Sequence, residues 1–224
     1  MIEHSEDPSS GDRRHGKQPK RAAFAMPLGS VTSGRLVFAS GASVVSLDSE
    51  PALGALYSAR FDGEIPGVAA ADGVVTIRYR LNWPLGWLLD WRGARARVVL
   101  NSSILWEVEF HHGVSKLVAD LRGLRLRSLD LASAASARIM LPRPSGGAYI
   151  HLGGSAGNVV IQRPAGIGVQ FVLDGSGSRL TLDGERLRPA NDGLRWRSSD
   201  YRESADRYEV TVSGSVSKLT VSTG

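Results

Sequence analysis

The stretch "VTVSGSVSK" at Val210–Lys218 has a counterpart, "FVLDGSGSR", at Phe171–Arg179. In both, apolar residues alternate with polar ones up to a turn rich in glycine and serine, and an apolar segment follows the turn. Alternation with a period of two is typical of half-buried strands, and clustered small residues are typical of tight turns. Each stretch therefore predicts two short strands joined at a turn, with Ser217 or Ser178 as the small residue after it.

The same unit recurs along the 224-residue chain. The small residues that follow the turn, called anchors, are Ser43, Gly73, Ala94, Ser115, Ser136, Gly157, Ser178 and Ser217. From Gly73 to Ser178 the spacing is 21 residues throughout (73, 94, 115, 136, 157, 178). The residues five positions before and four positions after every anchor are apolar, so the units share one pattern of buried positions.

A constant period near 20 residues indicates a solenoid, in which each coil stacks on the last and like positions superimpose. The predicted fold is all-β: a single-stranded β-solenoid (β-helix) of about eight coils with a 21-residue period. An antiparallel sandwich of hairpins is the alternative. The solenoid domain is expected over 29–224, with insertions near 49–65 and 184–207, after a disordered polar tail over 1–28.

The composition narrows the range of functions. The chain contains no cysteine, which excludes disulfides, zinc–thiolate sites and thiol catalysis. Its net charge of +5 is scattered rather than clustered, so nucleic acid is not an expected partner. No P-loop, dinucleotide fingerprint or nucleophile elbow is present, and no cofactor or metal site is predicted.

The membrane signals are equally weak. No segment reaches the roughly 20 apolar residues of a membrane span, and the N-terminal segment lacks the apolar core of a signal peptide. A cytoplasmic location is therefore expected. The basic run "RRHGKQPKR" at 13–21 leaves a weak peripheral contact with anionic lipid open.

Two local features test the 21-residue frame. Arg138 stands two positions after its anchor, where every other unit has an apolar residue. Because Ile139 and Leu141 alternate one residue out of frame, a β-bulge is expected to turn Arg138 outward. Trp83, Trp87 and Trp91 recur every four residues, and the inward position of Trp87 in the frame favours a packed core over an amphipathic helix.

The segments "SGSVSKLTV" (213–221), "DGSGSRLTL" (174–182) and "HGVSKLVADLRGLRLRSLDL" (112–131) resemble bacterial putative-adhesin, or toast-rack-like, β-helix proteins. "GVVTIRYR" at Gly73–Arg80 and "LPRPSG" at Leu141–Gly146 add to the likeness, which covers Gly34 to Ser222. The resemblance implies a single-stranded β-helix attached to membrane or signalling modules in envelope-stress contexts. It implies no catalytic residue.

The stacked frame also predicts an outward acidic column. Glu109, Asp130 and His151 each lie six positions before an anchor in three consecutive units. Neighbouring rungs would hold their side chains roughly 5 Å apart, where two carboxylates and an imidazole could share acid–base work on a carbohydrate. The alternative is a solvated ladder of surface charge. No catalytic residue is assigned, and these three are the outside candidates.

The second insertion predicts a binding loop. It brings Arg195, Trp196, Arg197 and Tyr201 together, and Trp, Tyr and Arg are the residues that dominate protein interfaces. Trp196 could instead cap the open end of the hydrophobic core, which any finite solenoid must cover. The predicted function is a non-enzymatic structural or protein-interaction module in bacterial envelope or stress biology. Its expected partner is a protein, with self-association through the solenoid ends left open.

Overall fold

The structure is a computed structural model that describes residues 20–51, 53–79, 94–188, 190–191, 193–202 and 206–224. All the regular secondary structure in these residues is β-strand, so this part of the chain is all-β, as predicted. The strands are β1 (Arg21–Pro27), β2 (Ser33–Phe38), β3 (Ala42–Glu50), β4 (Ala55–Asp62), β5 (Gly67–Ala71), β6 (Val74–Arg78), β7 (Arg95–Asn101), β8 (Leu105–Asp120), β9 (Arg125–Met140), β10 (Gly147–Leu152), β11 (Ala156–Arg163), β12 (Gly168–Leu173), β13 (Ser176–Leu182), β14 (Glu185–Leu187), β15 (Ala190–Asn191), β16 (Leu194–Arg197), β17 (Arg207–Val212) and β18 (Ser215–Thr223). Trp83, Trp87 and Trp91, for which the sequence favours a packed core, lie outside the described residues.

Most strands are parallel and form two stacks. In each unit, the strand before the turn is called the first arm and the strand after it the second arm, and β8 and β9 each contain both arms. A first arm and its second arm make one layer. The described residues contain seven such layers, which follow in space as β6/β7, β2/β3, β8, β9, β10/β11, β17/β18 and β12/β13.

The order of the layers in space differs from their order in sequence at both ends of the stack. The layer β2/β3, the first along the chain, lies between β6/β7 and β8. The layer β17/β18, the last along the chain, lies between β10/β11 and β12/β13. Each of these inserted layers therefore joins two layers that would otherwise be separated.

The predicted apolar columns form the core. Residues seven positions before the anchors pair directly in successive first arms, and each is no more than 1% exposed: Leu36, Val108, Leu129, Ile150, Val210 and Phe171. The column five positions before the anchors is aligned in the same way, and its Phe38 and Phe110 rings stack with centroids 4.7 Å apart. Burial of like side chains in adjacent strands stabilises the stack through apolar contact.

Gly73 is not the anchor of a further layer. Asp72 and Gly73 both have positive φ, 49° and 81°, which is the conformation of a two-residue hairpin turn. The turn folds β5 back on β6 as an antiparallel pair. The apolar residues after it align with the first arm of β2, with Val75 opposite Leu36, instead of forming a second arm. For this reason seven layers are observed in the described residues where about eight coils were predicted.

Antiparallel strands cover both ends of the stack. At one end β5 pairs with β6, and β4 pairs with both β7 and β1. At the other end β16 pairs with β12, and β14 and β15 pair with β13. A second Asp-Gly hairpin turn, Asp183–Gly184 with φ of 47° and 85°, starts this end cover. The predicted insertions near 49–65 and 184–207 thus contain the cover strands β4 and β14–β16.

Strand β1 lies within the segment that the sequence assigned to the polar tail. It pairs with β4 in antiparallel register, and its side chains alternate between exposed and half-buried. Phe24 and Met26 pack against the core, and the Phe24 ring meets Phe61 edge-on at 5.8 Å. Residues 21–27 therefore belong to the folded domain, because their apolar alternation covers the end of the stack.

Arg138 points outward as predicted, but a shorter turn is the cause. Between the arms, the step from Phe110 to Gly113 in β8 lies opposite the step from Leu131 to Ser133 in β9. The turn in β9 is therefore one residue shorter, which shifts the inward positions after it. Ala137 and Ile139 are buried, at 2% and 0% exposed, and Arg138 between them is exposed.

A buried cation ties the β14–β16 cover to the stack. Arg163, at the end of β11, has a side chain that is only 2% exposed. Its guanidinium donates hydrogen bonds to the carboxylates of Asp183 and Asp200, the latter at 3.3 Å, and to the backbone carbonyl of Ile167. Asp183 is in the turn after β13 and Asp200 follows β16, so one side chain holds three separate segments together.

The turns between the arms approach one another so closely that glycine is required. A Cβ added at Gly214 would lie 2.1 Å from the carbonyl oxygen of Gly154, and one at Gly175 would lie 2.0 Å from that of Gly214. We expect Gly214→Ala to lower the free energy of unfolding by about 2–3 kcal/mol in urea titrations, because backbone must move apart. Gly54→Ala is the control, since no heavy atom lies within 4 Å of its Cβ position. Equal stability of the two variants would contradict this close stacking.

Candidate functional site

The outward side of the first arms carries most of the predicted site residues, and we call it the first-arm face. Glu109 of β8 pairs directly with Asp130 of β9, and Asp130 pairs with His151 of β10. Directly paired residues project to the same side of a sheet. The three outside candidates for chemistry therefore form a row across three adjacent strands, in the order expected from the spacing of the units.

The row extends to a residue that the sequence did not suggest. His151 Nδ1 lies 3.1 Å from Asp130 Oδ2, and His151 Nε2 lies 2.8 Å from Oγ of Ser213. Ser213 is 62 positions away in sequence but follows β17, which is the neighbour of β10 in the stack. The sequence does not predict this contact of Ser213, the serine of the quoted "VTVSGSVSK", because stacking in sequence order would place its unit next to β12/β13 alone.

The carboxylates of the row are each bound by a different base. Glu109 lies 2.8 Å from His111 Nε2 and 3.3 Å from Arg35, whereas Asp130 contacts His151. The hydrogen bond to Glu107, followed by the charge of Glu109, raises the pKa of Arg35 above its ordinary value, so the guanidinium stays charged. Glu109 and Asp130 thus lie side by side with separate partners.

At the end cover, the predicted binding residues divide between two roles. Trp196 of β16 lies opposite Phe171, is half-buried, packs against the core and donates its indole N–H to Glu185 at 3.2 Å. Arg195 and Arg197 alternate with it and are exposed. Arg197 donates to the Gln170 side chain at 2.9 Å, and its guanidinium carbon lies 4.6 Å from the centroid of the Tyr201 ring.

The acidic row and the exposed residues of the end cover lie on one surface. Successive paired residues on the outward side connect them strand by strand: Glu107, Ser128, Tyr149, Glu209, Gln170 and Arg197. Five strand spacings separate β8 from β16, or about 24 Å at the usual distance between strands. Tyr149, 50% exposed, stands near the middle of this surface. The structure thus joins two regions that the sequence treated as separate candidates.

One of the concave surfaces offers little chemistry. A shallow groove of about 430 Å³ follows the turns between the arms and is lined by glycine, alanine, serine and valine, including Gly113, Ser133 and Gly157. None of its lining side chains can be charged. Within the described ranges, no group of three or more histidine, aspartate or glutamate side chains is placed to hold a metal ion. Those residues also form no helix that is long and apolar enough to cross a membrane.

These features define an all-β protein of stacked parallel strands with a mixed-charge outward face. No protein-family model matches the sequence. No curated protein matches it either. Among solved structures, the chain is similar to a putative cell adhesion protein from Clostridium sporogenes, with a TM-score of 0.70 and 16% identity over 92% of this chain and 100% of that one. A second similar structure is a putative adhesin from Bacteroides fragilis, with a TM-score of 0.29 and 10% identity over 93% of this chain and 98% of that one.

The first of these matches shows the fold. At a TM-score of 0.70 over nearly the whole of both chains, the Clostridium protein has the same overall arrangement. The adhesin resemblance of the sequence is confirmed at this level. At 16% identity the match does not transfer a binding partner or any residue role.

Proposed function

We propose that this chain is a β-solenoid module that binds a protein partner through the first-arm face, a role that needs no catalysis. The observation that carries the proposal is the continuity of that face, which joins the acidic row to Arg195, Arg197 and Tyr201. Arginine and tyrosine are enriched among the residues that dominate protein interfaces. A surface built on paired strands keeps these side chains in fixed positions, which reduces the entropy lost on binding.

The similarity to a cell adhesion protein supports a binding role over a catalytic one. The proposed setting is bacterial envelope or stress biology, with the chain on the cytoplasmic side of the membrane. Antiparallel strands cover the described ends of the stack, so its parallel pairing does not continue from one copy to the next. We therefore favour a partner of different sequence over end-to-end self-association.

The test compares two charge reversals on opposite arms. Arg195→Glu/Arg197→Glu changes the first-arm face, and Arg179→Glu/Lys218→Glu makes the same change in charge at two exposed, directly paired positions of the second arms. We expect the first variant to bind the partner captured by the wild-type chain at least about 30-fold more weakly, as for interface hot spots, and the second to bind it normally.

Surface plasmon resonance on the captured partner measures both affinities. If both variants bind as tightly as the wild type, the first-arm face is not the binding surface. Substitution is preferable to removing residues 184–207, because that segment contains the strands that cover β12 and β13.

Carbohydrate binding at Glu109, Asp130 and His151 is a second candidate. The observation that favours it is their placement in one row near the exposed Tyr149, since sugars bind to carboxylates and to aromatic faces. The test is a glycan array with the wild-type chain and Asp130→Ala. Binding that Asp130→Ala abolishes would support this candidate, and equal signals from the two proteins, or none from the wild type, would remove it.

A further inference from the structure

The contacts around His151 have the connectivity of an activated serine. The carboxylate of Asp130 meets Nδ1 of the imidazole at 3.1 Å, and the opposite ring nitrogen, Nε2, meets Ser213 Oγ at 2.8 Å. An acid on Nδ1 holds the tautomer that leaves Nε2 free to accept a proton, and a hydroxyl on Nε2 is placed to give one up. Three stacked layers thus supply acid, base and hydroxyl in the order that nucleophilic catalysis needs.

Glycines at two neighbouring turns allow the close contacts around His151. A Cβ at Gly153 would lie 3.3 Å from Cε1 of His151, so the imidazole rests close against the backbone of its own turn. The next turn comes closer still, because a Cβ at Gly214 would lie 2.1 Å from the Gly154 carbonyl oxygen. Ser213 is carried on that second turn. Close approach of the two turns therefore brings its hydroxyl within hydrogen-bond distance of the imidazole.

Two polar atoms lie near the hydroxyl of Ser213. Besides Nε2 of His151 at 2.8 Å, the carbonyl oxygen of Gly153 lies at 3.4 Å, which is long for a hydroxyl hydrogen bond. The contact with the imidazole is therefore the shorter of the two. The site is open to solvent, with the side chains of His151 and Asp130 exposed by 40% and 52%.

We propose that Ser213 is a nucleophile, with His151 as its general base and Asp130 as the residue that positions the imidazole, and that it takes an acyl group from small activated esters. This activity goes beyond the binding function proposed above and does not depend on it. The openness of the site sets the substrate class, because a small ester with a good leaving group needs no deep pocket.

The proposed reaction has two balanced steps. His151 Nε2 takes the proton of the Ser213 hydroxyl while Oγ bonds to the ester carbonyl carbon; the bond to the leaving alkoxide or aryl oxide breaks, and the imidazolium returns the proton to it. Water then attacks the acyl-serine, with His151 taking its proton and returning it to Oγ. The products are a carboxylic acid and an alcohol or phenol, with no oxidant or reductant involved.

Ser215 is a matched internal control. It lies on the same turn, is exposed like Ser213, and its Oγ hydrogen-bonds to Ser176 Oγ at 3.0 Å rather than to a base. A fluorophosphonate, which loses fluoride when a serine oxygen bonds to its phosphorus, is the probe, and peptide mass spectrometry of the full chain reads the labelling rate at each serine. General-base assistance contributes about 100-fold or more, so we expect Ser213 to react about 100-fold faster than Ser215.

Substitutions of His151 and Asp130 distinguish a chemical role of these residues from a structural one. His151→Ala is expected to reduce labelling of Ser213 to the Ser215 rate, and free imidazole in the medium to restore part of it, because the site is open. Asp130→Asn is expected to slow labelling while leaving Ser213 above Ser215. The same order of rates is expected for release of p-nitrophenol from p-nitrophenyl acetate. Equal labelling of the two serines in the wild-type chain, or no effect of His151→Ala, would overturn the proposal.

Discussion

Replacing Val210 by aspartate is expected to abolish the cooperative unfolding transition of the protein. Val210 is 1% exposed and lies directly between Ile150 and Phe171, in the layer that joins β10/β11 to β12/β13. An ionised carboxylate there would be buried without a partner, at a cost of several kcal/mol. Since domains are stable by about 5–15 kcal/mol in total, the layer would detach and two strand edges would be left unpaired. Circular dichroism during urea titration measures the loss.

Thr211→Asp is the control for this experiment. Thr211 is the next residue of the same strand, but it points outward, beside His151 and Val172, and is half-buried. A carboxylate at this position stays in contact with water, so the free energy of unfolding should change by less than about 1 kcal/mol. If Val210→Asp unfolds with the same midpoint as Thr211→Asp, the last unit of the chain is not inserted in the stack as described.

The second large effect is expected at the buried cation. Asp183→Asn/Asp200→Asn leaves the guanidinium of Arg163 buried with no carboxylate partner, whereas asparagine tolerates the positive φ of Asp183 nearly as well as aspartate does. Removing the partner of a buried charge costs about 3–5 kcal/mol. We expect the lower end of that range, because the two carboxylates are 26% and 36% exposed. Urea denaturation at neutral pH measures the difference.

An exposed ion pair supplies the comparison. Asp48 accepts a hydrogen bond from Arg97 at 3.1 Å, with side chains that are 32% and 68% exposed. Asp48→Asn should therefore lower the free energy of unfolding by less than about 1 kcal/mol. A double substitution at Asp183 and Asp200 no more costly than Asp48→Asn would show that Arg163 does not hold the end cover in place.

The core positions were predictable because burial selects the residue type at fixed spacing. In a strand every second side chain faces the core, so Leu129, Ile150 and Val210 occupy the same place in their units and are all aliphatic. Arg138 was correctly placed outside for a related reason, since Ile139 beside it shows which residue faces inward. Each of these predictions depends only on the sequence of a single strand.

The order of the layers was not predictable in the same way. The columns of each unit hold similar apolar residues, so the apolar pattern alone does not indicate which layer lies beside which. Ser213 was missed beside His151 for this reason. The assignment of Gly73 as an anchor is wrong, and the sequence itself argues against it. Asp72–Gly73 between alternating segments is a strong signal for a hairpin turn.

The inserted last layer has a consequence for the order of events during synthesis. The chain leaves the ribosome N-terminus first, so β12 and β13 emerge before β17 and β18, which must lie between them and β10/β11. Until residues 207–223 are available, neither neighbour has its partner, and contacts this distant in sequence form slowly. A nascent or truncated chain would present two unpaired strand edges, which are the surfaces on which aggregation begins.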